Sequence, residues 1–438
     1  MPQRIFKNRV GLTVVILATL LPMFMWLTMM PLSMRFGDSF SALTSVGQLT
    51  ALVGITLFSL TIILSARLHF LEEYFGSLDR VYRIHHYSGT IAFLFILVHP
   101  LALAVALVPI SVVEAAKLLI PGGDWAVNFG ILGLLLMMSL LVITFFAKWR
   151  YQYLRFAHQI LGGAFFLGAL HAFLIPSDVS INPWLKVYIF SLAALAIAAY
   201  IYHTLLGHAF KKRYTYIVEA VNDLGEGIIE VVMRPENEVM HYVPGQFIFI
   251  SFVDGGMTKE VHPFSISSAP TEKYLRISVK ALGDWTGQLK YLNAGATARI
   301  EGPFGGFSYL KGKCGRQIWI AGGIGITPFL NMARNLRVNQ RDDLVIDFYY
   351  ATKTEDEMVF YNELKAISEE NSNISIIPHQ SDEKGFLSAD VIKSTSGDLS
   401  NTDIFVCGPP PMMQGLIKQF TAAGVPRRLI HTEEFKLL

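Results

Sequence analysis

Cysteine is nearly absent: the 438 residues include only Cys314 and Cys407. Two lone cysteines build no disulfide framework, which excludes a secreted disulfide scaffold and fits a reducing compartment. Charge is also scarce, at 16% Asp, Glu, Lys and Arg, where soluble chains carry about 25%. With 52% hydrophobic residues, a disordered or collagen-like chain is excluded. No polybasic, aromatic-interleaved stretch points to nucleic acid. No EF-hand loop or other regulatory extension is seen, so turnover is expected to need neither calcium nor an activator protein.

The length suits two to three domains at about 150 residues each. What charge there is divides the chain. Residues 1–213 hold 15 Lys and Arg against 7 Asp and Glu, a net of +8, while residues 214–438 hold 21 against 27, a net of −6. The first part is apolar and the second reads as soluble. Spanning a bilayer takes about 20 mostly apolar residues. Six stretches qualify: 10–32, 46–66, 86–109, 127–147, 158–175 and 184–206. The first is too long for a signal-peptide core and lacks a small-x-small cleavage site, so it counts as a span. Alternate connections carry the cations: Arg4, Lys7 and Arg9; Arg67, Arg80 and Arg83; Lys148, Arg150 and Arg155; Lys211, Lys212 and Arg213. The other connections hold only Arg35, Lys117 and Lys186. The positive-inside rule then puts both termini, and the soluble part, in the cytoplasm of a multi-pass protein of the cell (inner) membrane.

Ionisable residues inside spans are functional by default. The third span carries His85, His86 and His99, and the fifth carries His158 and His171. His85 and His99 are 14 residues apart, about 21 Å along a helix and on one face. His158 and His171 are 13 apart, about 19.5 Å. Both helices run in the same direction, so His85 is level with His158 and His99 with His171. Two imidazole pairs at two depths are what two stacked b-type haems require. The bland alternative, a satisfied polar or interfacial residue, is preferred for His69, His203 and His208. Thirteen residues rotate about 220°, so a kink or π-bulge at Gly162–Gly163 is expected to bring His158 and His171 to one face. His86 stays open as a rival for His85. Phe165, midway between the levels, reads as packing or as part of an electron path.

In residues 214–310, apolar β-branched runs separated by Gly, Pro and Asn turns read as a small β domain. Beyond 316, strands Gln317–Ala321, Leu344–Tyr350, Ile374–Ile377 and Asp403–Cys407 alternate with helices, a parallel nucleotide-binding pattern. His262-Pro263-Phe264-Ser265-Ile266-Ser267-Ser268 lies in the β domain. It resembles the flavin motif of the ferric reductase and NADPH oxidase superfamily. That resemblance implies a multi-domain chain, with a six-helix transmembrane di-haem bundle (1–213), an antiparallel β-barrel FAD domain (214–312) and an α/β parallel-sheet NAD(P) domain (313–438). The last two form a ferredoxin–NADP reductase-like module.

The resemblance implies roles for further residues. Ser265 would sit near the flavin N5. Lys280, Gly283, Asp284, Trp285 and Thr286 look like the family's pyrophosphate turn, with N–H groups exposed to phosphate. Gly322, Gly323, Gly325, Thr327 and Pro328 follow a strand and open a helix, where Thr327 is a candidate N-cap and Pro328 a first-turn proline. Thr352 and Lys353 end the next strand, and Lys353 either meets a 2′-phosphate of NADPH or is a solvated lysine. Cys407, Gly408, Pro409 and Met412 resemble the family's Cys-Gly-Pro motif, which puts the cysteine beside the nicotinamide. Phe435 is similar to the terminal aromatic stacked on flavin, although Lys436-Leu437-Leu438 follow it here.

The expected activity moves electrons from cytosolic NADPH (or NADH) through FAD, past Ser265, Cys407 and Phe435. It continues through an inner haem (His85, His158) and an outer haem (His99, His171) to oxygen or ferric iron. Superoxide-forming relatives carry an Arg on span two and a further His on span three, where this chain has Gln48 and Leu103. Delivery to a quinone or a partner protein is the alternative. A transporter or sensor with a regulatory nucleotide domain is the rival of another class, and it predicts a colourless protein.

Overall fold

The computed structural model describes residues 2–66, 71, 74–75, 78–147, 151–205, 212–253, 256–258 and 260–433. The chain divides into two compact units, Met1–Phe210 and Lys211–Leu438.

Among the described residues of the first unit, six helices are long and apolar enough to cross a membrane. They belong to α1 (Pro2–Leu27), α3 (Ser39–Ser65), α4 (Leu78–Leu107), α5 (Trp125–Phe146), α6 (Tyr151–Leu174) and α7 (Pro183–Tyr200). A short α2 (Leu32–Arg35) connects the first two. Several helices outrun the apolar stretches: α4 starts at Leu78 and takes in Arg80 and Arg83 before the first histidine. Hydropathy marks the hydrocarbon layer, whereas backbone hydrogen bonding carries on into the interface. Small residues let the helices approach closely. A Cβ on Gly54 of α3 would lie 2.6 Å from Ile96 of α4, as expected where packing rather than hydrophobicity drives association in lipid.

The second unit holds two sheets. The antiparallel one runs β4-β3-β6-β1-β2-β5, from β1 (Tyr214–Asp223), β2 (Ile228–Pro235), β3 (Phe247–Phe252), β4 (His262–Ser265), β5 (Leu275–Lys280) and β6 (Thr297–Phe304). A bridge from Ile266 to Ile277 links its two ends, so the barrel is nearly closed. Its core alternates inward along the strands: Val218, Val231, Ile248, Ile250, Ile277, Ala298 and Ile300.

The second sheet is parallel, in the order β11-β10-β7-β8-β9. Its strands are β7 (Arg316–Gly322), β8 (Val345–Thr352), β9 (Ile374–Gln380), β10 (Asp403–Cys407) and β11 (Ile430–Glu433). The short β11 escapes the sequence pattern because it is only four residues long and starts directly after a 3₁₀ turn, Arg427–Leu429. In such sheets ligands bind outside the carboxyl ends of the strands, where the strand order reverses. Here that is between β7 and β10, the strands that carry the glycine loop and Cys407.

Candidate redox sites

In the first unit, α4 and α6 bring the histidines together in two pairs. The His85 and His158 ring centres are 6.1 Å apart and the planes meet at 64°. Those of His99 and His171 are 6.3 Å apart at 57°. Metal–imidazole bonds are about 2.0–2.1 Å and the ring centre lies about 1.1 Å beyond the nitrogen, so two imidazoles sharing one ion have centres about 6.2 Å apart. Both pairs match that separation. His86 is exposed and its ring contacts Tyr87, so His85 is the residue that faces His158.

Neighbouring helices set the orientation of the rings. Nδ1–H of His85 donates to the Thr61 carbonyl at 2.8 Å, and that of His99 to the Gly47 carbonyl at 2.8 Å. His171 Nδ1–H donates to the Ala126 carbonyl at 2.7 Å. A carbonyl only accepts, so each bond fixes the tautomer that leaves Nε2 with its lone pair, as metal-ligating histidines require. Two glycines allow close helix approach here, one of them directly against a ring. A Cβ on Gly130 would lie 2.9 Å from His171 Nδ1, and one on Gly47 would lie 2.7 Å from Leu103 Cδ2. Sequence reading misses both glycines; their signal is a small residue facing a histidine-bearing helix.

No π-bulge interrupts the helix at Gly162–Gly163. The helix α6 is uninterrupted from Tyr151 to Leu174, and the π-helical turn is Ile201–Leu205, after α7. Gly162 instead accommodates the Tyr200 ring, while Gly163 faces open space. Both histidine pairs nonetheless form along this one helix. Phe165 is buried edge-on against Phe58, with ring centres 5.1 Å apart.

Near Gly47, the buried Arg35 of α2 donates through Nη1 to Gln48 Oε1 (3.4 Å) and Asp178 Oδ2 (3.3 Å), and through Nη2 to the Trp26 carbonyl (2.8 Å). Gln48 thus adjoins a guanidinium supplied by a different segment, a placement that the span pattern does not encode.

In the second unit, β4 presents the flavin motif. Ser265 Oγ is buried and has no hydrogen-bond partner among the described residues. A buried hydroxyl without a partner costs about 1–3 kcal/mol, so the position suits a group completed by a ligand. Pro263 and Phe264 pair with β3. The side chains of Ser267 and Ser268 turn inward, to Ser278 Oγ and Tyr242 respectively, so only their backbones could meet a ligand. Trp285 is in the barrel wall, 4.3 Å from His262 and 5.8 Å from Phe264 between ring centres.

The phosphate turn also departs from expectation. Thr286 Oγ1 accepts the N–H groups of Leu282 (3.1 Å) and Gly283 (3.0 Å). They cap the five-residue α8 (Asp284–Gln288) rather than stand exposed, because a threonine at the third helical position reaches back to the first turn. Asp284 is exposed, and Lys280 Nζ lies 3.9 Å from Glu357.

At the head of the parallel sheet, Gly323 has φ +53, and Gly325 is pressed against the Cys407 carbonyl and Gly408. A Cβ on Gly322 would meet Met412 Sδ at 2.6 Å and Pro409 at 2.9 Å. The two motifs therefore close on each other, backbone to backbone. Thr327 is the first residue of α9 (Thr327–Val338) rather than its cap. A 3₁₀ turn over Gly323–Ile326 leads straight into the helix, and the Thr327 hydroxyl donates back to the Ile324 carbonyl at 3.2 Å. Pro328 occupies the first turn as expected. Thr352 Oγ1 donates to the Thr354 carbonyl, and Lys353 is exposed.

Cys407 is fully buried, and burial followed by the Glu433 carboxylate pushes its thiol well above the ordinary range. It is a neutral thiol and a poor nucleophile, suited to packing against a ring. In the sheet Cys407 is level with Ala321 and Glu433. A Cβ on Gly305 would lie 3.2 Å from Glu433 Oε1 and 2.9 Å from Phe247, and Phe247 pairs with Ser265. The structure therefore sets Glu433, which sequence reading misses, beside Cys407 at the ends of neighbouring strands. Phe435 lies outside the described residues.

A flavin-type barrel, a dinucleotide loop at a switch point and a spanning bundle define an NAD(P)H-dependent oxidoreductase of a multi-pass membrane class. Comparisons with known proteins agree. Residues 50–169 match the ferric reductase like transmembrane component, 214–308 an FAD-binding domain, and 319–418 an oxidoreductase NAD-binding domain. With these three in order, the chain belongs to the ferric reductase/NADPH oxidase-like superfamily.

Among curated relatives, Flavohemoprotein B of Dictyostelium discoideum is 27% identical over 224 residues, 45% of this chain and 53% of that protein. NADH-cytochrome b5 reductase 1 of Mortierella alpina is 28% identical over 193 residues, 42% of this chain and 65% of the relative. The chain thus spans about half to two thirds of these relatives' lengths. The crystal structure of flavohemoglobin from Malassezia yamatoensis is similar in fold, with TM-score 0.51 at 16% identity over 91% of this chain and 98% of that one.

Proposed function

We propose that this chain carries electrons across a membrane, from NAD(P)H through FAD and two b-type haems to an acceptor on the opposite side. The observation that carries this reading is the pair of histidine couples at 6.1 and 6.3 Å, with three of the four rings oriented by backbone carbonyls. When bound, flavin exchanges a two-electron donor for one-electron acceptors and the haems relay single electrons. The chain's own residues do the rest. His85 with His158, and His99 with His171, would hold haem iron, and the carbonyl bonds leave Nε2 of His85, His99 and His171 available for it. The Ser265 hydroxyl meets the flavin edge. The neutral Cys407 thiol and the Gly322–Pro328 loop seat the nicotinamide dinucleotide. The cation asymmetry of the connections supports a reading in which both termini face the cytoplasm at the cell membrane.

The acceptor is oxygen or ferric iron. The purified protein, supplied with haem and FAD, is reduced anaerobically with NADPH or NADH and then mixed with oxygen or ferric citrate. Haem bands that shift on reduction only when FAD is present are expected, and the faster reoxidant names the acceptor. Protein that binds no haem, or haem reduction that persists without FAD, would overturn the reading. A colourless protein would support the transporter or sensor class instead.

A further inference from the structure

The helix that leaves the glycine loop docks on the barrel through polar groups. On α9, Asn331, Arg334 and Asn335 share one face at helical spacing and are only 0%, 8% and 6% exposed. Asn331 accepts from the Gly245 N–H at 3.3 Å and donates to the Ile266 carbonyl at 3.1 Å. Arg334 Nη1 donates to the Ser267 carbonyl at 2.9 Å, while Nε and Nη2 fork onto the two Glu363 oxygens at 2.6 and 2.8 Å. Glu230 of β2 adds its carboxylate 3.6 Å from Nη2. Asn335 Nδ2 donates to the Tyr309 hydroxyl at 2.8 Å.

An apolar seam would dock a helix without burying a cation, and buried ion pairs are poor stabilisers compared with packed hydrocarbon. The fork onto Glu363, on the neighbouring helix Tyr361–Glu370 of the nucleotide half, aims the guanidinium so that Nη1 meets the Ser267 carbonyl in one register only. The two carbonyls gripped here belong to the residues that follow Ser265, and the helix doing the gripping starts at Thr327, the end of the nucleotide loop. Asn331 is four residues, about 6 Å, along that helix from its start.

We propose that Arg334 and Asn331 are positioning residues for hydride transfer, holding the flavin-facing strand in fixed register with the nucleotide loop. This rests on the flavin–nucleotide reading above. In the reaction, the C4–H bond of the nicotinamide breaks and its hydrogen leaves with both electrons. The nucleotide becomes NAD(P)⁺ and the flavin gains the hydride. The contacts of Arg334 are all to protein groups. The residue acts through the Ser267 carbonyl, and a misplacement of about 1 Å at the reacting atoms can cost about a hundredfold.

The test uses the full-length, FAD-loaded protein and its Arg334→Lys and Asn331→Ala variants. Lysine keeps the charge but loses the fork. Flavin bleaching under anaerobic conditions at saturating NADPH is measured alongside FAD content, nucleotide Kd, thermal midpoint and the isotope effect of 4-deuterated nucleotide. In Arg334→Lys we expect the saturating rate to fall about tenfold or more, with a larger isotope effect. FAD content and nucleotide Kd should stay within about twofold of the parent. The proposal is overturned if the rate per bound FAD is within about twofold of the parent's, or if lost rate merely follows lost FAD or a lowered thermal midpoint. If Arg334→Lys does not fold, Asn331→Ala decides on the same criteria. A parent protein that neither nucleotide bleaches defeats the flavin–nucleotide reading itself, a result distinct from failure of the seam.

Discussion

The membrane unit and the soluble unit assemble their sites in opposite ways. In the bundle, each candidate haem pair draws one histidine from α4, one from α6 and, for three of the rings, a carbonyl from α3 or α5. None of these contributions is contiguous in sequence. In the soluble unit, the glycine loop and Cys407-Gly408-Pro409 are short unbroken segments at the ends of neighbouring strands. A site assembled from crossing helices depends on the faces of residues that bear no chemistry. A site at a switch point depends on turns that announce themselves.

That contrast is broken most forcefully at Gly130. Gly130→Leu would drive its side chain into the His171 ring, where a Cβ alone would come within 2.9 Å of Nδ1. Disturbing the groups that orient a metal-ligating histidine costs about 10- to 100-fold in affinity. Haem content should fall from two per chain toward one, measured by the pyridine haemochrome. Gly163→Ala, on the same bundle but facing open space, should keep both haems. If the two variants behave alike, the packing argument for the bundle is wrong.

The chain is therefore legible from its sequence in unequal measure. The spans, the alternating strands and the four histidines are visible because periodicity and intramembrane charge are local signals. A π-bulge at Gly162–Gly163 is absent, because Gly162 serves instead as the seat of the Tyr200 ring, a contact from a distant helix that spacing within α6 does not encode. Thr327 reads as a cap because a 3₁₀ turn looks like loop in sequence. Ser267, Ser268, Trp285 and Thr286 belong to recognisable motifs, yet their side chains serve the barrel and its turn. Glu433, Arg334 and Gly130 escape notice because their partners are far away in the chain.

A medium effect tests whether the soluble unit is as locally built as it looks. Asp403, buried at the start of β10, accepts from His431 Nε2 at 2.7 Å and from the Cys314 N–H at 2.7 Å, and also from the Lys313 N–H. Burial opposes its charge, but His431 and the two amides outweigh that and hold the carboxyl below its ordinary range. The folded-state value is thus depressed. The stability from this group is present above its unfolded value of about 3.9 and is lost as the pH falls through the lower folded value. Asp403→Asn should cost about 3 kcal/mol near neutral pH, read as a lowered urea midpoint. The gap between parent and variant should close below about pH 4. A gap that persists in acid would deny the carboxylate this role.

The smallest effect concerns Lys353, the residue for which sequence reading leaves two roles open. The backbone around it is fixed, with the Lys353 N–H donating to Glu357 Oε2 at 3.2 Å and its carbonyl accepting from the Asp382 N–H at 3.2 Å. The side chain is exposed at the end of β8. An exposed ammonium on a phosphate is worth about 1 kcal/mol, roughly fivefold in affinity. If Lys353 meets a 2′-phosphate, Lys353→Ala should lower kcat/KM for NADPH by about that factor and leave NADH unchanged, and added salt should erase the difference. An unchanged NADPH-to-NADH ratio would make Lys353 a solvated surface charge. The nucleotide end of the soluble unit would then be specified by its turns alone, which sharpens its contrast with a bundle where distant side chains set the site.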